Sequence, residues 1–111
     1  MARGKFGGMG GGNMQQLMRQ AQKMQEQLAK TQEELDEREY EAQSGGGMVK
    51  CKINGKRELV ELSINPGAVD PDDVEMLEDL VMAAVNEALR LGEETREQAM
   101  GAITGGMGGL L

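Results

Sequence analysis

Apolar positions recur every third or fourth residue between Met14 and Leu35. Met14, Leu17, Ala21, Met24, Leu28, Thr31 and Leu35 follow one another at spacings of 3, 4, 3, 4, 3 and 4. That is the a/d pattern of a heptad seam on an α-helix. Met18 widens the stripe near its start, and Gln, Glu, Lys and Arg, all good helix formers, fill most other positions. Asn13 stands where an N-cap belongs, just ahead of the first periodic residue. The seam runs for about three heptads and includes Ala and Thr, too little for a free-standing coiled coil. It is expected to pack on another part of the fold.

The period then changes to two. Tyr40, Ala42 and Ser44 alternate with Glu39, Glu41 and Gln43, which reads as a first strand, and Gly45–Gly47 supply a turn. Val49, Cys51 and Ile53 face one way; Lys50, Lys52 and Asn54 face the other. Asn54-Gly55 signals a hairpin, after which Val60, Leu62 and Ile64 resume the alternation. A two-residue loop would pair Val49 with Val60, and a four-residue loop would pair Cys51 with Val60. Either keeps both apolar sets on one face, whereas a three-residue loop does not. The result is a half-buried antiparallel hairpin with one polar face.

A second helix follows. Asp70 is the expected N-cap and Pro71 the first helical residue, with Asp72 and Asp73 suited to the positive helix start. Val74, Leu77, Val81, Ala84, Ala88 and Leu91 keep helical spacing, and Leu80, Val85 and Leu89 broaden the stripe. A stripe this broad suits burial against both a sheet and another helix. Gly101 is the expected stop. The fold class is therefore α+β in the order α-β-β-β-α, two long helices flanking a three-stranded antiparallel sheet. One domain, 13–100, lies between glycine-rich tails, 1–12 and 101–111, expected to be loose.

Composition adds a need for company. The 111 residues contain one Phe, one Tyr and no Trp, so the core must come from Met, Leu, Val, Ile and Ala. A small chain with so few large side chains is expected to share its core in an oligomer. The single cysteine, Cys51, allows no internal disulfide and fits a reducing cytoplasm. No apolar run approaches the ~18 residues of a membrane span, and no apolar segment follows Arg3 and Lys5 as in a signal peptide.

Candidate chemistry is sparse. Without histidine, common zinc sites and His-activated nucleophiles are excluded. Cys51 falls on the apolar strand face as a buried structural thiol. No glycine run sits between a strand and a helix, so nucleotide binding is rejected, and Asp70, Asp72 and Asp73 read as capping residues rather than a cation site. No catalytic residue, metal ligand or cofactor is expected.

Charge is what remains. The formal net charge is −7, yet residues 1–25 hold four bases and no acid, and 48–65 hold four bases and two acids, while 26–47 and 66–111 are acidic. Arg19 falls at heptad position f, and Lys23 and Lys30 at c, all away from the seam. Lys50, Lys52, Lys56 and Arg57 gather on the polar face and turn of the hairpin. With Arg3 and Lys5 on the tail, these bases form a candidate phosphate-contacting surface. On the residues alone, an ordinary solvated surface competes with that reading. No helix-turn-helix, zinc finger or RNA-recognition signature is present, and so few aromatics make no platform for stacked bases. The Met-rich helix offers a second functional class, a protein-interaction adaptor working beside DNA-processing machinery.

The ordered segments MRQAQKMQEQLAKTQEEL, GGGMVKCKINGKRELVELSINP and DVEMLEDLVMAAVNEAL together resemble the YbaB/EbfC family of bacterial nucleoid-associated proteins. The resemblance covers roughly residues 9–105. Its most telling pieces are Gly47, Val49, Asn54 and Gly55 in the hairpin and Met76-Leu77-Glu78-Asp79-Leu80, Ala83-Ala84 and Asn86 in the second helix. It implies a tweezer-like homodimer in the bacterial cytoplasm, associated with the nucleoid. It also implies binding of double-stranded DNA with a change in DNA conformation, serving nucleoid organisation, gene regulation and DNA protection. The family supplies no short contact motif, so the contact residues stay charge-based: Arg19, Lys23, Lys30, Lys50, Lys52, Arg3 and Lys5.

Overall fold

A computed structural model places the elements in the order α1 (Ala2–Glu37), β1 (Glu39–Ser44), β2 (Val49–Asn54), β3 (Leu59–Ile64) and α2 (Val74–Gly108), with 3₁₀ turns at Gly45–Gly47 and Pro66–Ala68. It describes the backbone of residues 2–108 and the side chains of residues 13–104. The tails expected to be loose, with Arg3 and Lys5, fall wholly or largely outside the described side chains. The α-β-β-β-α order and the antiparallel sheet, ordered β1-β2-β3, are as the patterning predicts.

The core lies between the sheet and the first half of α2. Val49, Cys51 and Ile53 on the central strand and Tyr40 on β1 are buried against Ala84 and Ala88 of α2. The two alanines let the helix sit close to the sheet, and Leu77, Leu80, Val81, Val85 and Leu89 close the layer from its sides. The Ser44 hydroxyl donates to the Leu80 carbonyl, fixing helix to strand. Helix α2 covers β1 and β2 but not β3, which leaves Val60 49% and Leu62 43% exposed.

Beyond the sheet, α2 meets α1. On α1 the covered seam positions are Leu35, buried, and Met24, Leu28 and Thr31, half-buried; on α2 they are Thr95, Ala99, Met100 and Ile103. The broad stripe of α2 thus serves a sheet first and a helix afterwards. Ahead of Met24 every described position of α1, residues 13–23, is exposed, and the protomer measures 86 × 23 × 16 Å.

Three local expectations are corrected. Asp70 does not cap α2: its side chain accepts from the Asp72 N–H (2.9 Å) within a turn closed by Asp73 N–H to Asp70 carbonyl (2.9 Å). Pro71 takes the second place of that turn, and Asp73 is the cap, accepting from the Met76 N–H at 3.2 Å. The hairpin has three loop residues, 55–57, with Arg57 in the left-handed region (φ 65°). An irregularity opposite Lys52 and Ile53 leaves Val60 as an extra residue and returns the apolar sets to one face, pairing Cys51 with Leu62 and Val49 with Ile64. Finally, Asn13 and Gly101 lie inside helices rather than at their ends. A formed helix passes a single Gly for about 1 kcal/mol and an Asn for less. Gly101 has no left-handed φ to stop the chain, and the Thr104 hydroxyl donates back to the Met100 carbonyl (3.0 Å) across it.

The base of α1 is locked to the hairpin turn. A Cβ on Gly55 would fall onto the Leu35 carbonyl and the Asp36 Cα, both backbone atoms that cannot step aside. Gly55→Ala is therefore expected to cost about 3 kcal/mol or more, read from urea unfolding; a cost within 0.5 kcal/mol, the ordinary range for a surface change, would mean that the close approach is not maintained.

Candidate nucleic-acid interface

Arg19, Lys23 and Lys30 are all exposed on α1. At about 100° per residue they lie within about 40° of one another around the helix, in one strip about 17 Å long. None forms an ion pair among the described residues. The seam residues Met14, Leu17 and Ala21 occupy the opposite side of the same helix. Glu26 shares the strip between Lys23 and Lys30, and Glu33, Glu34 and Glu37 crowd its inner end. The acids near the strip thus gather toward its inner end, and Arg19 and Lys23 are the bases least offset by them.

The hairpin lysines sit elsewhere and differ from one another. Lys52, 26% exposed, lies between carboxylates on both neighbouring strands: Glu41 at 3.2 Å and Glu61 at 3.3 Å. Antiparallel register sets these three residues side by side on the outer sheet face. Hydrogen bonds to Glu41 and then Glu61 hold the Lys52 ammonium above the usual lysine range. Lys50 is opposed by Gln43 and Ser63 instead, and carries no ion pair among the described residues. Lys56 faces a cleft lined by Glu33, Asp36, Glu37 and Glu58. Since α1 leaves the sheet at the Gly55 turn and Lys50 sits toward the opposite end of β2, one protomer does not join the arm strip and Lys50 into a single patch, and acids of α1 surround Lys56 where it nears the arm.

Arg96 was missed in the sequence and organises the junction. Its Nη2 donates to Asp36 Oδ1 at 2.7 Å and to the Gly55 carbonyl at 3.1 Å, so one guanidinium holds α1, the hairpin turn and α2. By sequence alone Arg96 is a base among the acids Glu93, Glu94 and Glu97, with no sign of partners outside its own helix. By contrast, Arg90 is satisfied on its own helix by Glu87 (2.6 Å) and Glu94 (2.7 Å), which raises the guanidinium pKa further and lowers that of Glu87. Burial raises the Cys51 thiol, consistent with a structural role. Among the described residues no cluster of three or more potential metal ligands occurs, and no helix is long and apolar enough to cross a membrane.

An exposed basic strip on a projecting helix, with no buried reactive group beside it, suits a polyanion better than a small substrate. The sequence profile of the YbaB/EbfC DNA-binding family matches residues 9–107. The chain belongs to the YbaB/EbfC family. A nucleoid-associated protein of Clostridium novyi (strain NT) is 55% identical over 108 residues, covering 96% of this chain and 95% of that protein. A nucleoid-associated protein of Alkaliphilus metalliredigens (strain QYMF) is 54% identical over 108 residues, with coverage of 96% and 95%. The crystal structure of an uncharacterized protein from Helicobacter pylori superposes with a TM-score of 0.63 at 30% identity, covering 76% of this chain and 88% of that one. The family description and the relatives' names are those of DNA-binding and nucleoid-associated proteins, not of enzymes. Within this YbaB/EbfC chain the strip on α1 is the largest run of unpaired bases among the described residues.

The sheet pairs give a pH expectation. Because the folded Lys52 pKa is raised, its pairing with Glu41 and Glu61 contributes stability below the ordinary lysine pKa and loses it as pH rises through the raised value. Thermal stability between neutral and strongly alkaline pH is expected to fall less steeply in Lys52→Met than in the parent chain; identical profiles would show that the pairing is not maintained.

Proposed function

We propose that this chain is a nucleoid-associated protein of the bacterial cytoplasm that binds duplex DNA as a homodimer and alters its conformation, serving nucleoid organisation, gene regulation and DNA protection. The single observation that supports it most is the unpaired strip Arg19, Lys23 and Lys30 on a family whose description is DNA binding. Basic side chains on a regular helix track phosphates without reading bases, so binding is driven by counterion release and is indifferent to sequence. Lys50, Arg3 and Lys5 add secondary phosphate contacts, while Lys52 contributes least because Glu41 and Glu61 already neutralise it. The acidic α2 repels DNA and confines contact to the arms.

Homodimerisation is supported by β3. It is an edge strand whose Leu59, Val60 and Leu62 are exposed, followed in the chain by exposed Val69, Val74 and Met76. A partner copy covering this surface completes the core that one chain leaves open, and two arms double the strip. Two rigid arms on one duplex then impose their own geometry on it.

The test is a salt titration of binding to duplex DNA with dimer mass monitored in parallel. The parent chain is expected to weaken steeply with salt. Arg19→Glu with Lys23→Glu keeps the dimer and binds far more weakly, and its salt slope is shallower by about 0.9 for each phosphate left without a basic partner. Leu62→Glu is expected to break the dimer and weaken DNA binding with it. Unchanged affinity in the arm variant removes the site assignment. Failure of the parent chain to bind DNA at any salt would instead favour the adaptor reading.

A further inference from the structure

One apolar surface belongs neither to the core nor to the β3 edge. The heptad seam of α1 is half used: Met24, Leu28, Thr31 and Leu35 meet α2, while Met14, Leu17 and Met18, at the outer end of the same stripe, are 60%, 62% and 68% exposed. The bare half is continuous with a helix–helix interface already formed, so its geometry suits another helix. Its edges say which one. The flanking e and g positions from 13 to 27 are Asn13, Met18, Gln20, Gln25 and Gln27, with no charge among them. Like-charged flanks repel a second copy and select an oppositely charged partner; amide flanks penalise neither orientation of a self-pair and can donate and accept across it. Arg19 and Lys23 point away from the seam, so two seams can meet without bringing their bases together.

We infer that the exposed half-seam of one dimer's α1 pairs with the same half-seam of a neighbouring dimer, so that copies load cooperatively along DNA. The inference rests on the proposed DNA-binding function for its biological setting. A contact of about two heptads is too short to persist in dilute solution. Bound to one duplex, neighbouring dimers reach the effective concentration at which it forms. The arm thereby holds phosphate on one side and a sister arm on the other.

The experiment compares the parent chain with a Met14→Gln, Leu17→Gln, Met18→Gln variant. Glutamine keeps helix propensity, and neither Arg19 nor Lys23 is altered. Binding is measured on a duplex with room for one dimer and on one with room for many, and sedimentation without DNA is followed to high protein concentration. The parent is expected to bind the long duplex cooperatively and to associate reversibly beyond the dimer when concentrated. The variant is expected to remain a dimer, bind the short duplex like the parent, and lose cooperativity, with half-saturation on the long duplex weaker by about tenfold or more. A second variant, Gln20→Lys with Gln25→Lys, leaves the apolar residues in place and sets like charges along the flanks. It is expected to bind the short duplex at least as tightly while also losing cooperativity. Retained cooperativity in both variants overturns the inference. So does collapse of the first variant to monomer, which would assign the seam to the interior of one dimer. If neither chain binds DNA but only the parent associates beyond the dimer, seam pairing stands and the DNA reading falls.

Discussion

The Arg96 guanidinium, shared between Asp36 and the Gly55 carbonyl, is the contact on which the architecture turns. It joins three segments far apart in sequence at the one place where α1, the hairpin turn and α2 converge. The junction is partly buried, with side-chain exposures of 27% for Arg96 and 33% for Asp36. There a charge-assisted hydrogen bond contributes about 1.5–3 kcal/mol, more than an exposed pair. Gly55 makes the approach possible, because any side chain there would strike the backbone of α1. With its base held this way, α1 leaves the sheet in one direction as an arm rather than a swinging tail. Helix α2 then supports the inner part of the arm and leaves the outer part free.

Charge follows the same division. Acids dominate α2 and the inner end of α1, and the sheet lysine with the most carboxylate neighbours is already paired by two of them. Among the described residues the arm carries three unpaired bases on one strip, and the chain has no acid before Glu26. A net charge of −7 would repel DNA from a uniform surface. In the DNA-binding mode proposed above, segregation would let repulsion from the body orient the arm toward phosphate. Apolar surface is divided as well: β3 lies outside the cover of α2, and the outer seam lies beyond its reach.

The elements themselves were legible because their periods are clean. Alternation at Tyr40–Ser44, Val49–Asn54 and Val60–Ile64 defined the strands, and the 3-4 spacing at Val74–Leu91 defined a helix with two partners. What failed was local and had competing chemistry nearby. Three aspartates, at 70, 72 and 73, all suit a helix start, and only the turn at Pro71 decides for Asp73. The hairpin loop was misread because alternation cannot reveal a bulge; Val60 absorbs the extra residue and hides the loop length. For the interface, Arg19, Lys23 and Lys30 could be placed together from helical geometry alone. The neutralisation of Lys52 depends on cross-strand register and the role of Arg96 on tertiary convergence, neither of which is a local property of sequence.

Whether the outer arm, rather than the sheet, carries DNA is the central question. Lysine acylation in the presence and absence of saturating duplex DNA, read residue by residue by mass spectrometry, tests it most directly. Protection concentrated at Lys23 and Lys30, with Lys52 and Lys56 unchanged, is the expected result. Protection at Lys52 and Lys56 with Lys23 and Lys30 left reactive would contradict it and move the interface to the hairpin.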